Sequence, residues 1–273
     1  MTPPHPTSPD AVRSVPLLRP LHWLARGWAD LLRCPWPGLA HGMGTACFGL
    51  VLLWLARDRF WFLAGTFSGF LLVAPLVATG LYAVSRDLER GGRPTLRTAL
   101  AAWHPRDSRL VRFGLLLALA GSGWVLTSAA LITRFAAGPV LGPADFLHVV
   151  VVHPNSHLFE IWLVLGSVLA APMFASSVVA IPMLLDRPVS LLGAVSTSVT
   201  AALASPAAMA LWATLILVIS LLGMATMMIG LVVAVPWLAH ASWHAYRDLV
   251  PPEEGAGDSC GSATPKDKSR SSG

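Results

Sequence analysis

His240 and His244 stand four residues apart near the C-terminal end of the last long apolar run. Residues at that spacing share one face of a helix. Two neutral imidazoles so placed can ligate haem or a transition metal, and an ionisable residue inside a membrane segment is a functional candidate by default. His41, at the cytoplasmic end of the first apolar run, is expected at comparable depth and joins them as a candidate cofactor ligand. Trp243, Tyr246 and Arg247 lie alongside, so the same stretch reads first as an interfacial anchor belt and only second as a ligand site. Two His without a carboxylate or thiolate at fixed spacing is a weak metal pattern.

A second cluster holds His153, His157 and Glu160 as candidate metal ligands, with Asp145 and His148 upstream. Three His and a carboxylate within so short a stretch could bind Zn or Cu, or titrate with external pH. Irregular spacing matches no catalytic zinc motif, so a solvated loop, with Glu160 in a first helical turn, is the preferred expectation. Nothing in the chain resembles a glycine-rich phosphate loop, a nucleophile elbow or a paired-carboxylate site, so an enzyme is not the expected class.

The elements that would position these residues are membrane spans. The chain has 273 residues, 55% of them hydrophobic and 12% charged, with a mean hydropathy of +0.64. Uncharged apolar runs of about 18 residues or more cross the hydrocarbon of a bilayer as helices. Unpaired backbone groups are not tolerated there, and the runs lack the alternation of a transmembrane barrel. The expectation is an all-α polytopic integral membrane protein with six transmembrane helices, at about 38–56, 60–84, 111–133, 158–185, 206–222 and 226–246. The last two divide one long run at Gly223 to Thr226, where glycine favours a turn.

Residues 1–37 form a proline-rich tail leading into a short helix suited to the membrane interface, with Leu21, Leu24, Trp28, Leu31 and Leu32 at helical spacing. Residues 38–250 are the membrane domain, and 251–273 are polar and of low complexity, as a disordered tail would be. The links 94–110 and 188–205 both suit helices lying in the interface plane, with a deeper, partly inserted helix as the alternative for the second. No cleavable signal peptide is expected, and Cys34, Cys47 and Cys260 imply no disulfide framework.

Of the 19 Lys and Arg residues, sixteen fall on one side of this topology, leaving Arg57, Arg59 and Arg134 on the other. The positive-inside rule then puts both termini in the cytoplasm. The net charge of +5 follows from those flanks, which suit anionic lipid headgroups and not nucleic acid.

Three stretches share a pattern. Pro75 precedes Arg86-Asp87-Leu88, Pro236 precedes Arg247-Asp248-Leu249 at the same spacing, and Pro172 leads to Asp186-Arg187. Laying 71–90 on 168–187 matches Leu72 with Leu169, Pro75 with Pro172, Ala78 with Ala175 and Arg90 with Arg187. This predicts an internal repeat of three hairpins, each returning on a proline-kinked helix. Thr79, Ser176 and Ser177 stand one turn after their prolines, where a hydroxyl can compensate a lost backbone bond. Small residues such as Gly65 and Gly69 would let helices approach closely.

The blocks FSGFLLVAPLVATGLYAVSRDLERG, FASSVVAIPMLLDRPVS and GLVVAVPWLAHASWHAYRDL resemble an uncharacterised bacterial integral-membrane family, domain of unknown function 2189, over roughly residues 40–250. The resemblance implies a six-helix protein of the bacterial inner (plasma) membrane without a settled activity. It also implies that His240 and His244, inside a family block, are the first site candidates. The leading functional expectation is a non-enzymatic scaffold or assembly factor that packs in the lipid bilayer with itself or with other membrane proteins. A small transporter or channel is the alternative, and a haem- or metal-binding redox-associated protein comes third.

Overall fold

The structure is a computed structural model that describes residues 12–56, 78–102, 108–152 and 157–251. Among them the chain is all-helical, with no strand. The elements are α1 (Arg19–Arg33), α2 (Pro35–Ala56), α3 (Thr79–Glu89), α4 (Leu96–Ala101) and α5 (Ser108–Phe135). They continue as α6 (Leu158–Ser177), α7 (Ala180–Asp186), α8 (Leu191–Ala204), α9 (Pro206–Ala225) and α10 (Leu231–Leu249). A short helical segment, Pro143–Asp145 running into a π-helical turn Phe146–Val151, precedes α6.

Four segments are long and apolar enough to cross a membrane: Pro35–Leu55, Arg109–Phe135, Leu158–Asp186 and Pro206–Ala225. Six spans were expected. The second, 60–84, lies mostly outside the described residues, as do Pro75, Gly65 and Gly69. The sixth corresponds to α10, which is less apolar because its second half carries His240, His244, Arg247 and Asp248.

α10 is the axis of the molecule. Twelve of its 19 residues are buried, whereas only 22–39% of the apolar window is buried in the four candidate spans. α1, α2 and α3 enclose α10, with α9 on its remaining side. Glycine makes the tightest of these crossings. A Cβ on Gly42 would stand 2.1 Å from the Val232 carbonyl oxygen, and one on Gly27 2.5 Å from the Ala241 nitrogen. Gly38 and Gly42 form a small-xxx-small pair on α2 that brings its backbone onto α10 at Pro236 and Val232.

The break between the last two apolar runs comes later than expected. α9 continues through Gly223 to Ala225, and the turn occupies 226–230. Its left-handed residues are Met227 (φ 52) and Met228 (φ 68), not glycines. Thr226 closes the turn: its hydroxyl donates to the Gly223 carbonyl at 2.8 Å and accepts from the Gly230 N–H at 2.7 Å. Gly223 serves instead as a contact, since a Cβ there would meet Leu231 Cδ2 at 2.8 Å.

Pro172 and Pro236 both lie within continuous helices, α6 and α10. The interruption of the fourth span falls at Val178 and Val179, just ahead of Pro182. That proline has no N–H, and its ring crowds the carbonyl four residues back. Ser198 of α8 mends the gap: its hydroxyl accepts from the Val179 N–H at 3.0 Å and donates to the Ala175 carbonyl at 2.6 Å. The hydroxyls of Ser176 and Ser177 both reach the Met173 carbonyl, after Pro172. α8 itself starts at Ser190, whose side chain caps the Gly193 N–H at 3.0 Å. In the other link the described helix is the short α4, opened by a Thr95–Thr98 capping box.

Candidate functional site

α10 is helical from Leu231 to Leu249, so His240 and His244 do share one face, and that face points into the molecule. Both imidazoles are buried, and so is His41 of α2. His41 lies close enough to His240 to act on it electrostatically. The three cofactor candidates are therefore gathered in one place.

Two further residues complete the cluster. Asp30 of α1 and Ser85 of α3 are buried with the imidazoles. The Ser85 hydroxyl donates to Asp30 Oδ2 at 2.9 Å and stands 2.7 Å from His240 Nδ1. His244 Nε2 lies 2.8 Å from the same Asp30 oxygen. Burial alone would push the Asp30 carboxyl up. Hydrogen bonds from His244 and Ser85, with the charge of the imidazoles, outweigh it and hold Asp30 below the usual carboxylate range.

An ionised Asp30 settles the direction of each bond. The single Ser85 proton goes to the carboxylate, so Ser85 Oγ must accept from His240 Nδ1–H. His244 donates through Nε2. The remaining nitrogens, His240 Nε2 and His244 Nδ1, are buried and meet no hydrogen-bond partner among the described residues.

These two nitrogens invite a test for a cofactor. Second-sphere carboxylates commonly orient ligating imidazoles in this way. Among the described residues, however, no group of three His, Cys, Asp or Glu side chains is placed to hold a metal ion. A Cβ on Gly38 would stand 3.7 Å from His240 Nε2, so the α2 backbone packs close to that nitrogen.

Asp30 and Ser85 were not singled out as site residues from the sequence. Asp30 looks like one more polar residue of an amphipathic helix, and Ser85 like the start of a charged stop. A signal for Asp30 exists. It follows Trp23 by seven residues and Gly27 by three, which puts it on the packed face of α1. For Ser85 the pattern holds no comparable mark.

Below the cluster, the charged ends of α3, α7 and α10 meet. Glu89 accepts from Arg247 Nε and from Trp243 Nε1, both at 3.0 Å. Asp186 accepts from the Tyr246 hydroxyl at 2.9 Å and pairs with Arg247 at 3.7 Å and Arg90 at 3.6 Å. Arg86 donates to the Leu185 carbonyl at 2.8 Å. Asp248 takes bonds from Arg19 Nε at 2.6 Å and Trp23 Nε1 at 2.7 Å. Burial would raise the Asp248 carboxyl, but those two bonds and the charges of Arg19 and Arg26 lower it overall. The anchor-belt expectation is corrected here. Trp243 and Tyr246 are fully buried and hydrogen-bonded to carboxylates, so they are not a lipid-facing belt.

The second His cluster is not assembled in the same way. His153 lies outside the described residues. His157 and Glu160 open α6 with 4.0 Å between Nδ1 and Oε1, both well exposed. Asp145 is engaged locally, accepting from the Leu141 N–H at 2.9 Å. Cys34 and Cys47 are free thiols, and Cys34 Sγ donates to the Pro94 carbonyl at 3.3 Å.

Apolar helices of spanning length wrapped around a polar, hydrogen-bonded axis define an integral membrane protein. Residues 62–186 match a family described as predicted integral membrane protein (DUF2189). That match includes Ser85, Pro75 and Pro172 and ends at Asp186. The His240–His244 block, expected to lie inside the family's sequence, therefore falls beyond the match. No curated protein and no solved structure matches the chain.

Proposed function

We propose that the protein is a non-enzymatic scaffold or assembly factor of the bacterial inner membrane that packs with itself or with other membrane proteins. The observation that carries this reading is the closure of the polar cluster. Asp30, Ser85, His240 and His244 bond to one another, and the Ser85 hydroxyl is fully buried, so this cluster turns no nucleophile outward. The outer helices are compatible with it, since α5, α6 and α9 leave large apolar side chains such as Leu126, Val164 and Leu222 uncovered for lipid or another membrane protein. Both termini are assigned to the cytoplasm on the asymmetry of the basic residues.

Extraction into lipid nanodiscs directly from membranes, followed by native mass determination and chemical cross-linking, tests the proposal. A defined oligomer or a stoichiometric complex is expected, together with ion and solute permeability of reconstituted vesicles equal to that of empty ones. A monomer that carries a specific flux would overturn it in favour of a transporter.

A further inference from the structure

α1 has three faces. Pro20, Trp23, Leu24, Gly27, Asp30 and Leu31 are buried in the molecule. Arg19, His22, Arg26 and Arg33 form a polar face. Between them runs an exposed row, Leu18, Leu21, Ala25, Trp28 and Leu32, recurring every three or four residues. A row at that spacing is a continuous apolar stripe along one side of a helix.

The stripe cannot be hidden by rotating the helix. Gly27 is pressed on the Ala241 backbone, Arg19 and Trp23 are bonded to Asp248, and Trp237 Nε1 donates to the Leu24 carbonyl at 2.8 Å. Asp30 is tied to His244 and Ser85. α1 is therefore held in one orientation, with its stripe outward.

Two observations say what covers it. Only Cys34 separates α1 from α2, a candidate membrane span. Trp36, 80% exposed in the first turn of α2, takes up the apolar surface again, and Met43, Val51 and Trp54 carry it along the span. The stripe thus adjoins a surface that faces hydrocarbon. Charge is the second observation. Asp30, the one acid of α1, is turned inward, so the charge that this helix shows outward is basic. Arg19 and Arg26 keep 39% and 37% exposure despite pairing with Asp248.

We propose that the α1 stripe of Leu18, Leu21, Trp28 and Leu32 lies in the lipid interface, with the flanking arginines on anionic headgroups. The occupant is a lipid surface and not a second copy of the chain. Interfacial helices of this build carry basic residues beside an apolar face and gain from both contacts.

The test uses the full chain in nanodiscs, with its native cysteines replaced by serine and a spin label placed singly at 21, 28 or 32, or at 22 or 33. Zwitterionic discs are compared with discs containing anionic lipid. Labels at 21, 28 and 32 should relax with oxygen and resist a water-soluble nickel reagent, while labels at 22 and 33 should do the reverse. Anionic lipid should strengthen the contrast several-fold. Nickel access at the stripe positions would overturn the proposal, as would dipolar broadening between copies labelled at 28. Thermal unfolding of each labelled protein checks that its fold is retained.

Discussion

α2 and α10 have similar lengths and lie against each other, yet they meet different surroundings. α10 is buried along most of its length and carries the histidines, whereas α2 touches the core along one edge and leaves Phe48, Val51, Trp54 and Leu55 bare. Glycines record the difference. On α2, Gly42 faces Val232 with no room for a methyl group, while Gly44, two residues on, has nothing within 4 Å. Polar side chains follow the same division. Those against α10 bond across helices, as Ser85 and Asp30 do, whereas Thr127, Thr133 and Ser167 on the outer helices bond to their own backbone. Lipid offers no partner, so an outward hydroxyl folds back on its own helix.

The contrast can be broken most strongly at Gly42. Gly42→Ala should separate α2 from α10 and destabilise the protein by about 3 kcal/mol in mixed-micelle unfolding, the upper part of the overpacking range. Gly44→Ala, with open space around it, should be neutral or stabilising by up to about 1 kcal/mol. Equal effects at the two sites would refute the assignment of the inner and outer edges of α2.

Asp30→Ala comes next, at a cost of about 3 kcal/mol, because it removes the acceptor of two buried side chains. Glu160→Ala, breaking an exposed pair, should change stability by less than about 0.5 kcal/mol in the same assay. The Asp30 carboxyl lies below its ordinary range when folded, so its contribution is complete above the unfolded carboxylate pKa. It is lost as pH falls through the lowered folded value. Thermal unfolding followed from neutral to acid pH should show this loss, and Asp30→Asn should flatten it.

Ser198→Ala should have a smaller effect, about 1–2 kcal/mol, by leaving the Val179 N–H and the Ala175 carbonyl unpaired at the break between α6 and α7. Ser167→Ala, on the exposed side of α6, should be silent by comparison. Unfolding curves that could not tell the two serines apart would remove Ser198 from its role at the break.

Much of the all-helical plan was legible because apolar runs of spanning length leave the backbone no alternative in lipid. The approximate ends of α2, α5, α6 and α9 follow from where charge, proline or glycine stops those runs. Glycine misled at Gly223, because a helix can use glycine for close contact as readily as for a turn, and the left-handed residues proved to be methionines. Pro172 and Pro236 are carried within helices, and the break falls beside Pro182, where Ser198 from another helix can satisfy the freed backbone groups.

For the site, spacing alone put His240 and His244 on one helix face, because helical periodicity is local. Spacing could not say whether that face met lipid, headgroups or protein. Only the tertiary structure brought Asp30 from α1 and Ser85 from α3 to those imidazoles, across sequence separations of 214 and 155 residues. The same packing turned Trp243 and Tyr246 inward onto Glu89 and Asp186. Hydropathy and period determine that a helix forms and which residues share a side. The partner of each side is decided by which other helices are small enough to approach it, and here Gly27, Gly38 and Gly42 made that choice.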